Sequence, residues 1–111
     1  MIDRVKSALK ITDTQYVGDV NQTVNRVGVA CGAAVEFMQD AASLGCDALL
    51  TGEARFHACL EARELKIGLI LPGHYATERP ALEFLAATLT DEFAQLEVWP
   101  SAVESDPVQW A

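Results

Sequence analysis

Apolar residues at Ile2, Val5 and Leu9 recur at the spacing of one helix face, and the β-branched and aromatic positions between Thr12 and Asp19 then suit a short strand. A polar bend at Asn21 and Gln22 leads into a second unit. It comprises a mostly apolar run from Arg26 to Cys31, a turn at Gly32, and helical apolar spacing from Ala34 to Leu44 closed by Gly45. The unit then recurs: Asp47 to Leu50 is a short apolar strand ended by Thr51 and Gly52, Phe56 to Leu65 is helix-forming, and Ile67 to Leu71 predicts another strand before Pro72 and Gly73. A long final helix is expected from Glu78 or Arg79 to Phe93, because a proline is tolerated in a first turn and Leu82, Leu85, Ala86 and Leu89 share a face. Leu96 to Trp99 predicts a last strand. The tail from Pro100 to Ala111 is expected to lie extended over the surface, anchored by a packed Trp110.

Strands separated by helices of this length imply crossover connections and a largely parallel sheet covered by helices. The predicted fold class is α/β, in one domain over residues 1–111 with no internal linker. Continuous apolar strands agree, since a parallel sheet is buried on both faces and shows no clean alternation.

A chain of 111 residues can bury a core of its own without a disulfide or metal staple. With 16 acidic against 8 basic side chains the net charge is -8, which repels phosphate backbones and anionic headgroups. Nucleic acid and membrane surfaces are therefore not expected partners. No apolar run approaches the roughly 20 residues of a membrane span, and Met1 to Lys10 carries Asp3 where a signal peptide would have an apolar core. The expected compartment is the cytoplasm. Cys31, Cys46 and Cys59 lack the close pairing of a zinc knuckle or redox motif and are expected to be reduced thiols acting as small buried hydrophobes.

In open parallel sheets, ligands gather beyond the carboxyl ends of the strands. Three turns fall there: Cys31-Gly32-Ala33, Thr51-Gly52-Glu53 and Pro72-Gly73-His74. By this placement His57, Glu53, His74 and Glu78 can converge on one edge. His74 and Glu78 are four apart, which puts both side chains on one face of a helical segment, and an imidazole beside a carboxylate is half of a common first-row metal site. Each residue also has an ordinary account. A His beside a glycine turn commonly bonds backbone, Glu78 in a first helical turn complements the helix dipole, and Glu53 can cap the helix that follows it. Asp47 is expected to cap or bend the chain before its strand. The turn at Gly32 lacks the glycines of a dinucleotide fingerprint and the Lys of a phosphate loop, and no serine sits in a nucleophile elbow.

The strings Val27-Gly28-Val29-Ala30-Cys31-Gly32, Gly45-Cys46-Asp47-Ala48, Thr51-Gly52-Glu53 with His57 and Ala62, and Gly73-His74-Tyr75-Ala76-Thr77-Glu78 together resemble the Nif-three-like dinuclear metal-centre family. The ending, Pro100-Ser101 with Asp106-Pro107, is similar too, so the resemblance runs from about Val17 onward. It implies the C-terminal half of a two-domain α/β/α protein. His74 and Glu78 would be metal ligands, with His57 and Glu53 around them orienting ligands or relaying protons. The family's other ligands, a His-His pair and an Asp, belong to an N-terminal half, and this chain has only 2 histidines, not adjacent. Ala33-Ala34 departs from the glycine and serine usual in relatives, which removes support for phosphate cradling there.

The resemblance thus implies a domain supplying two ligands to a site of two divalent ions, zinc, iron or manganese, completed by the N-terminal half. Hydrolysis of a nucleotide-like or phosphorylated substrate by a homo-oligomer is the activity it implies for the complete protein. Two other readings stay open: an assembly or partner-binding module with a structural metal or none, and a metal-free scaffold in which His74 bonds backbone.

Overall fold

The computed structural model describes residues 1–109. Helix α1 (Ile2–Leu9) leads to strand β1 (Gln15–Val17) and strand β2 (Val27–Val29). A 3₁₀ turn at Val35–Phe37 enters α2 (Met38–Ser43), followed by β3 (Ala48–Leu50), α3 (Phe56–Leu65), β4 (Gly68–Leu71) and α4 (His74–Glu92). The strands form one sheet in the order β1-β4-β3-β2. Strands β2, β3 and β4 run parallel, with Val29 opposite Leu50 and Leu50 opposite Ile70. Strand β1 pairs antiparallel with β4, Tyr16 facing Ile70. The fold is therefore α/β with a mostly parallel sheet.

Alternation along the central strands sends side chains to opposite faces. Leu49, Leu69 and Leu71 meet Met38 and Ala41 of α2 and Ala62 of α3 on one side, and Ala48 and Ile70 meet Val5 of α1 on the other. All four residues of β4 are buried. Strands buried on both faces have no use for polar positions, which is why β3 and β4 read as unbroken apolar runs. Truncating a leucine this enclosed costs about 2–5 kcal/mol, a large part of the roughly 5–15 kcal/mol that holds a domain folded.

Four expectations are corrected. Helix α4 begins at His74, not at Glu78 or Arg79, so Pro80 lies inside it rather than in its first turn. The helix tolerates the missing N–H at the expense of one backbone bond near its start. No strand forms at residues 96–99 among the described residues: a turn closes there, Leu96 N–H donating to Phe93 O at 2.9 Å, and the chain then turns back toward α4. Of the α4 stripe Ala86 is buried and Leu89 half-buried, while Leu82 and Leu85 stay 45% and 51% exposed. Cys31 is exposed rather than buried, whereas Cys46 and Cys59 pack against the core as expected, all three as free thiols. The anchoring role expected of Trp110 lies outside the described residues. Among the described residues no helix is long and apolar enough to cross a membrane.

Candidate functional site

Because β2, β3 and β4 are parallel, their carboxyl ends lie along one edge, and the three glycine turns that leave them are joined by backbone bonds. Gly52 N–H donates to Gly32 O at 2.7 Å, and Gly73 N–H donates to Gly52 O at 2.9 Å. Gly52 is required by this closeness: a Cβ there would fall 2.7 Å from His74 Cα and 2.8 Å from Gly32 O. Two threonines stitch the turns from beneath. Thr51 Oγ1 donates to Gly32 O at 2.9 Å and accepts from Ala34 N–H at 3.1 Å. Thr77 Oγ1 accepts from Gly32 N–H at 2.9 Å and donates to His74 O at 2.9 Å. Buried amides left without such partners cost about 1–3 kcal/mol each, so these bonds hold the turns in register.

His74 rises from this base with both ring nitrogens against carboxylates. Nδ1 lies 2.9 Å from Glu53 Oε1, and Nε2 lies 3.2 Å from Glu78 Oε1. The second contact is the one-turn neighbour relation on α4. The first joins two strand–helix units and shows that Glu53 is not a helix cap, since α3 starts at Phe56 behind Arg55 with no side-chain cap bond. The Glu53 hydrogen bond, aided by the negative charges of Glu78 and Glu53, holds the His74 pKa above its ordinary 6.5 against the opposing effect of desolvation. The side chains of His74, Glu53 and Glu78 are 47%, 59% and 56% exposed, so solvent screens these pairs and they add little to stability.

Gly32 completes the geometry. Its φ of +68° suits glycine, and a Cβ added there would stand 2.6 Å from Glu78 Oε1 and 3.1 Å from His74 Nε2. The missing side chain leaves a cradle faced by both donor atoms. Their 3.2 Å separation is close to the ligand-to-ligand edge of roughly 3 Å set by first-row metal bonds of about 2.0–2.2 Å. Among the described residues, no group of three or more His, Cys, Asp or Glu side chains is placed to hold an ion.

Around the pair, Glu53 is joined to His74, but His57 is not. It is exposed in the first turn of α3 with its ring centroid 6.3 Å from that of Phe56, and no hydrogen bond links it to Glu53, His74 or Glu78. Two features were missed from sequence. Thr51 and Thr77 give no periodic signal, and only their positions beside glycine turns hint at a clasp. Arg79 secures the returning tail, its Nη2 donating to Ser101 O at 2.9 Å and its Nε pairing with Glu104 at 3.0 Å. Asp106 and Val108 thereby join Glu53, Gly73 and His74 around a hollow of about 170 Å³. Asp47 acts at the opposite edge, accepting from Asn25 and Arg26 N–H at 2.7 and 2.9 Å, which registers β2 on β3 and holds its carboxyl below the ordinary range.

This α/β architecture is shared with a solved structure of a hypothetical protein of Staphylococcus aureus, which is 26% identical, with a TM-score of 0.83 over 100% of this chain and 39% of that one. The chain belongs to the Duf34/NIF3 (NGG1p interacting factor 3) family, whose pattern matches residues 1–107. Among curated relatives it is similar to a protein of Clostridium perfringens, 29% identical over 74% of this chain and 31% of the relative. Another, from Staphylococcus aureus strain COL, is 31% identical over 96% of this chain and 30% of the relative. Both bear the name GTP cyclohydrolase 1 type 2 homolog. The chain spans about a third of the length of these relatives.

Proposed function

We propose that this chain is the part of a Duf34/NIF3 protein that supplies His74 and Glu78 to a dinuclear divalent-metal site, the remaining ligands coming from the family's N-terminal half. The observation that carries this reading is the cradle over Gly32, open to Nε2 of His74 and to a carboxylate oxygen of Glu78. Glu53 supports it, because a carboxylate accepting from Nδ1–H fixes the tautomer that leaves the Nε2 lone pair free. Glu78 has a second oxygen and can bridge two ions. Such a pair of zinc, iron or manganese ions would supply Lewis acidity and a bound water of lowered pKa.

For the complete protein we propose a hydrolase acting on a nucleotide-like or phosphorylated substrate, supported by the name its curated relatives bear. A second reading, an assembly or partner-binding module, draws on the α4 stripe, where Leu82 and Leu85 are about half exposed. The occupant of that stripe would be the N-terminal half or another copy in a homo-oligomer. We place the protein in the cytoplasm, in keeping with its three free thiols.

Metal content of the protein carrying both halves separates the two readings. The ligand reading predicts two ions per chain by elemental analysis, falling in Glu78→Ala while the protein stays folded and its oligomer intact. An unchanged metal content in Glu78→Ala, or loss of the oligomer with no change in metal, contradicts it.

A further inference from the structure

Thr51 and Thr77 are the only buried polar side chains among the described residues, 0% and 6% exposed. Their hydroxyls grip the same residue from two sides, Thr77 at Gly32 N–H and Thr51 at Gly32 O, across separations of 45 and 19 positions. Each hydroxyl commits its single proton and one of its two acceptor lone pairs to these bonds. Thr77 does more than close its own helix turn. Its donated bond ends on His74 O, the carbonyl of the residue whose ring stands over Gly32. One oxygen atom therefore links the floor of the cradle to the backbone that carries its imidazole wall. A shift of the turn by a few tenths of an ångström would alter the gap, because a Cβ position on Gly32 is already only 3.1 Å from His74 Nε2 and 3.3 Å from its Cε1.

We propose that Thr77, with Thr51 behind it, is a positioning residue for the His74–Glu78 pair: its hydroxyl sets the distance between the Gly32 turn and the His74 and Glu78 side chains that stand over it. This rests on the reading of His74 and Glu78 as ligands, but its geometric half stands apart from any metal. Neither threonine would be a ligand of the ion. The residues act through the backbone of Gly32 and His74, so a variant that keeps the hydroxyl and loses the methyl should behave differently from one that does the reverse.

The test compares the whole chain with Thr77→Ser, Thr77→Val and Thr51→Val by NMR. In the unaltered chain a Gly32 Hα to His74 Hε1 cross-peak and slow Gly32 amide exchange are expected, with Mn²⁺ broadening the His74 ring signals. Thr77→Val should lose the cross-peak, exchange at Gly32 at least about tenfold faster, and need about tenfold to a hundredfold more Mn²⁺ for the same broadening, the loss usual when a ligand's supporting bond is removed. Exchange of the β4 amides should change far less, and Thr77→Ser should restore all three readings. If Thr77→Val does not fold, Thr51→Val gives the same comparison from the other side of Gly32. The proposal is overturned if the cross-peak and Gly32 exchange stay as in the unaltered chain when the hydroxyl is removed, or if Ser fails to restore them. Absence of any Mn²⁺ effect at His74 both in the unaltered chain and in the protein carrying both halves would instead remove the ligand reading, leaving the cross-peak and exchange to decide the clasp.

Discussion

Glu53 and His74 leave the sheet from different strands, yet the Nδ1 atom of His74 lies 2.9 Å from Glu53 Oε1. This contact orients the ring so that Nε2 turns toward Glu78 and the Gly32 cradle. Because both partners are largely exposed, the bond is worth more for orientation than for folding.

Removing the Glu53 charge should therefore act on the imidazole first. In Glu53→Gln the His74 pKa is expected to fall toward 6.5, the ordinary value from which the Glu53 hydrogen bond chiefly raises it. A raised folded-state pKa contributes stability that is present below about pH 6.5 and lost as pH rises through the higher folded value. Protons and metal compete for Nε2, so ion binding should strengthen over that same rise. An NMR titration of the ring Cε1–H signals checks this, and an identical midpoint in Glu53→Gln would deny the contact its role.

Gly32→Ala should block the cradle. The substitution carries backbone strain of about 1–2 kcal/mol for a left-handed residue and places a methyl 2.6 Å from Glu78 Oε1. Gly45→Ala is the matched control: its φ is +73°, but a Cβ there meets nothing nearer than Arg26 Nη1 at 3.7 Å. Thermal unfolding should drop by similar amounts in both, while metal binding is lost only in Gly32→Ala. Equal metal binding in the two variants would show that the space over Gly32 is irrelevant.

Much of this edge is legible in the sequence. Unbroken apolar runs at Ala48 to Leu50 and Gly68 to Leu71 marked strands buried on both faces, and glycines after them marked the turns. Direction was not legible: the pattern of Gln15 to Val17 is the same whichever way the strand runs, so its antiparallel pairing with β4 had no signature. Pro80 points to a helix start just before it, whereas the Thr77 hydroxyl bond and the first backbone bond, Thr77 N–H to Gly73 O at 3.3 Å, start α4 at His74. Leu96 to Trp99 has strand-like residues but leaves α4 through a turn, and β-propensity without a neighbouring edge to pair with makes no strand. His57 shares a sequence neighbourhood with Glu53, yet the start of α3 at Phe56 sets the two on different elements.

Asp47 provides a prediction away from the site. Its carboxylate accepts two backbone N–H groups, chiefly that of Arg26 and then that of Asn25, and its folded-state pKa lies below 3.8. A depressed pKa contributes stability that is present above about pH 3.8 and lost as pH falls through the lower folded value. Urea unfolding of the unaltered chain and Asp47→Ala should therefore differ at pH 6 and converge at the acid end of that window. A difference independent of pH would mean that the charge plays no part in registering β2.

The central claim, that His74 and Glu78 face a common ion, is tested most directly by adding Mn²⁺ to the metal-free protein carrying both halves and recording which NMR signals broaden, since paramagnetic relaxation detects even weak binding. Broadening is predicted first at the His74 ring, at the Glu78 side chain and at the Gly32 amide, with His57 unaffected, and it should vanish in His74→Asn. Broadening centred on His57 or spread over the acidic surface, with His74 left sharp, would contradict the account.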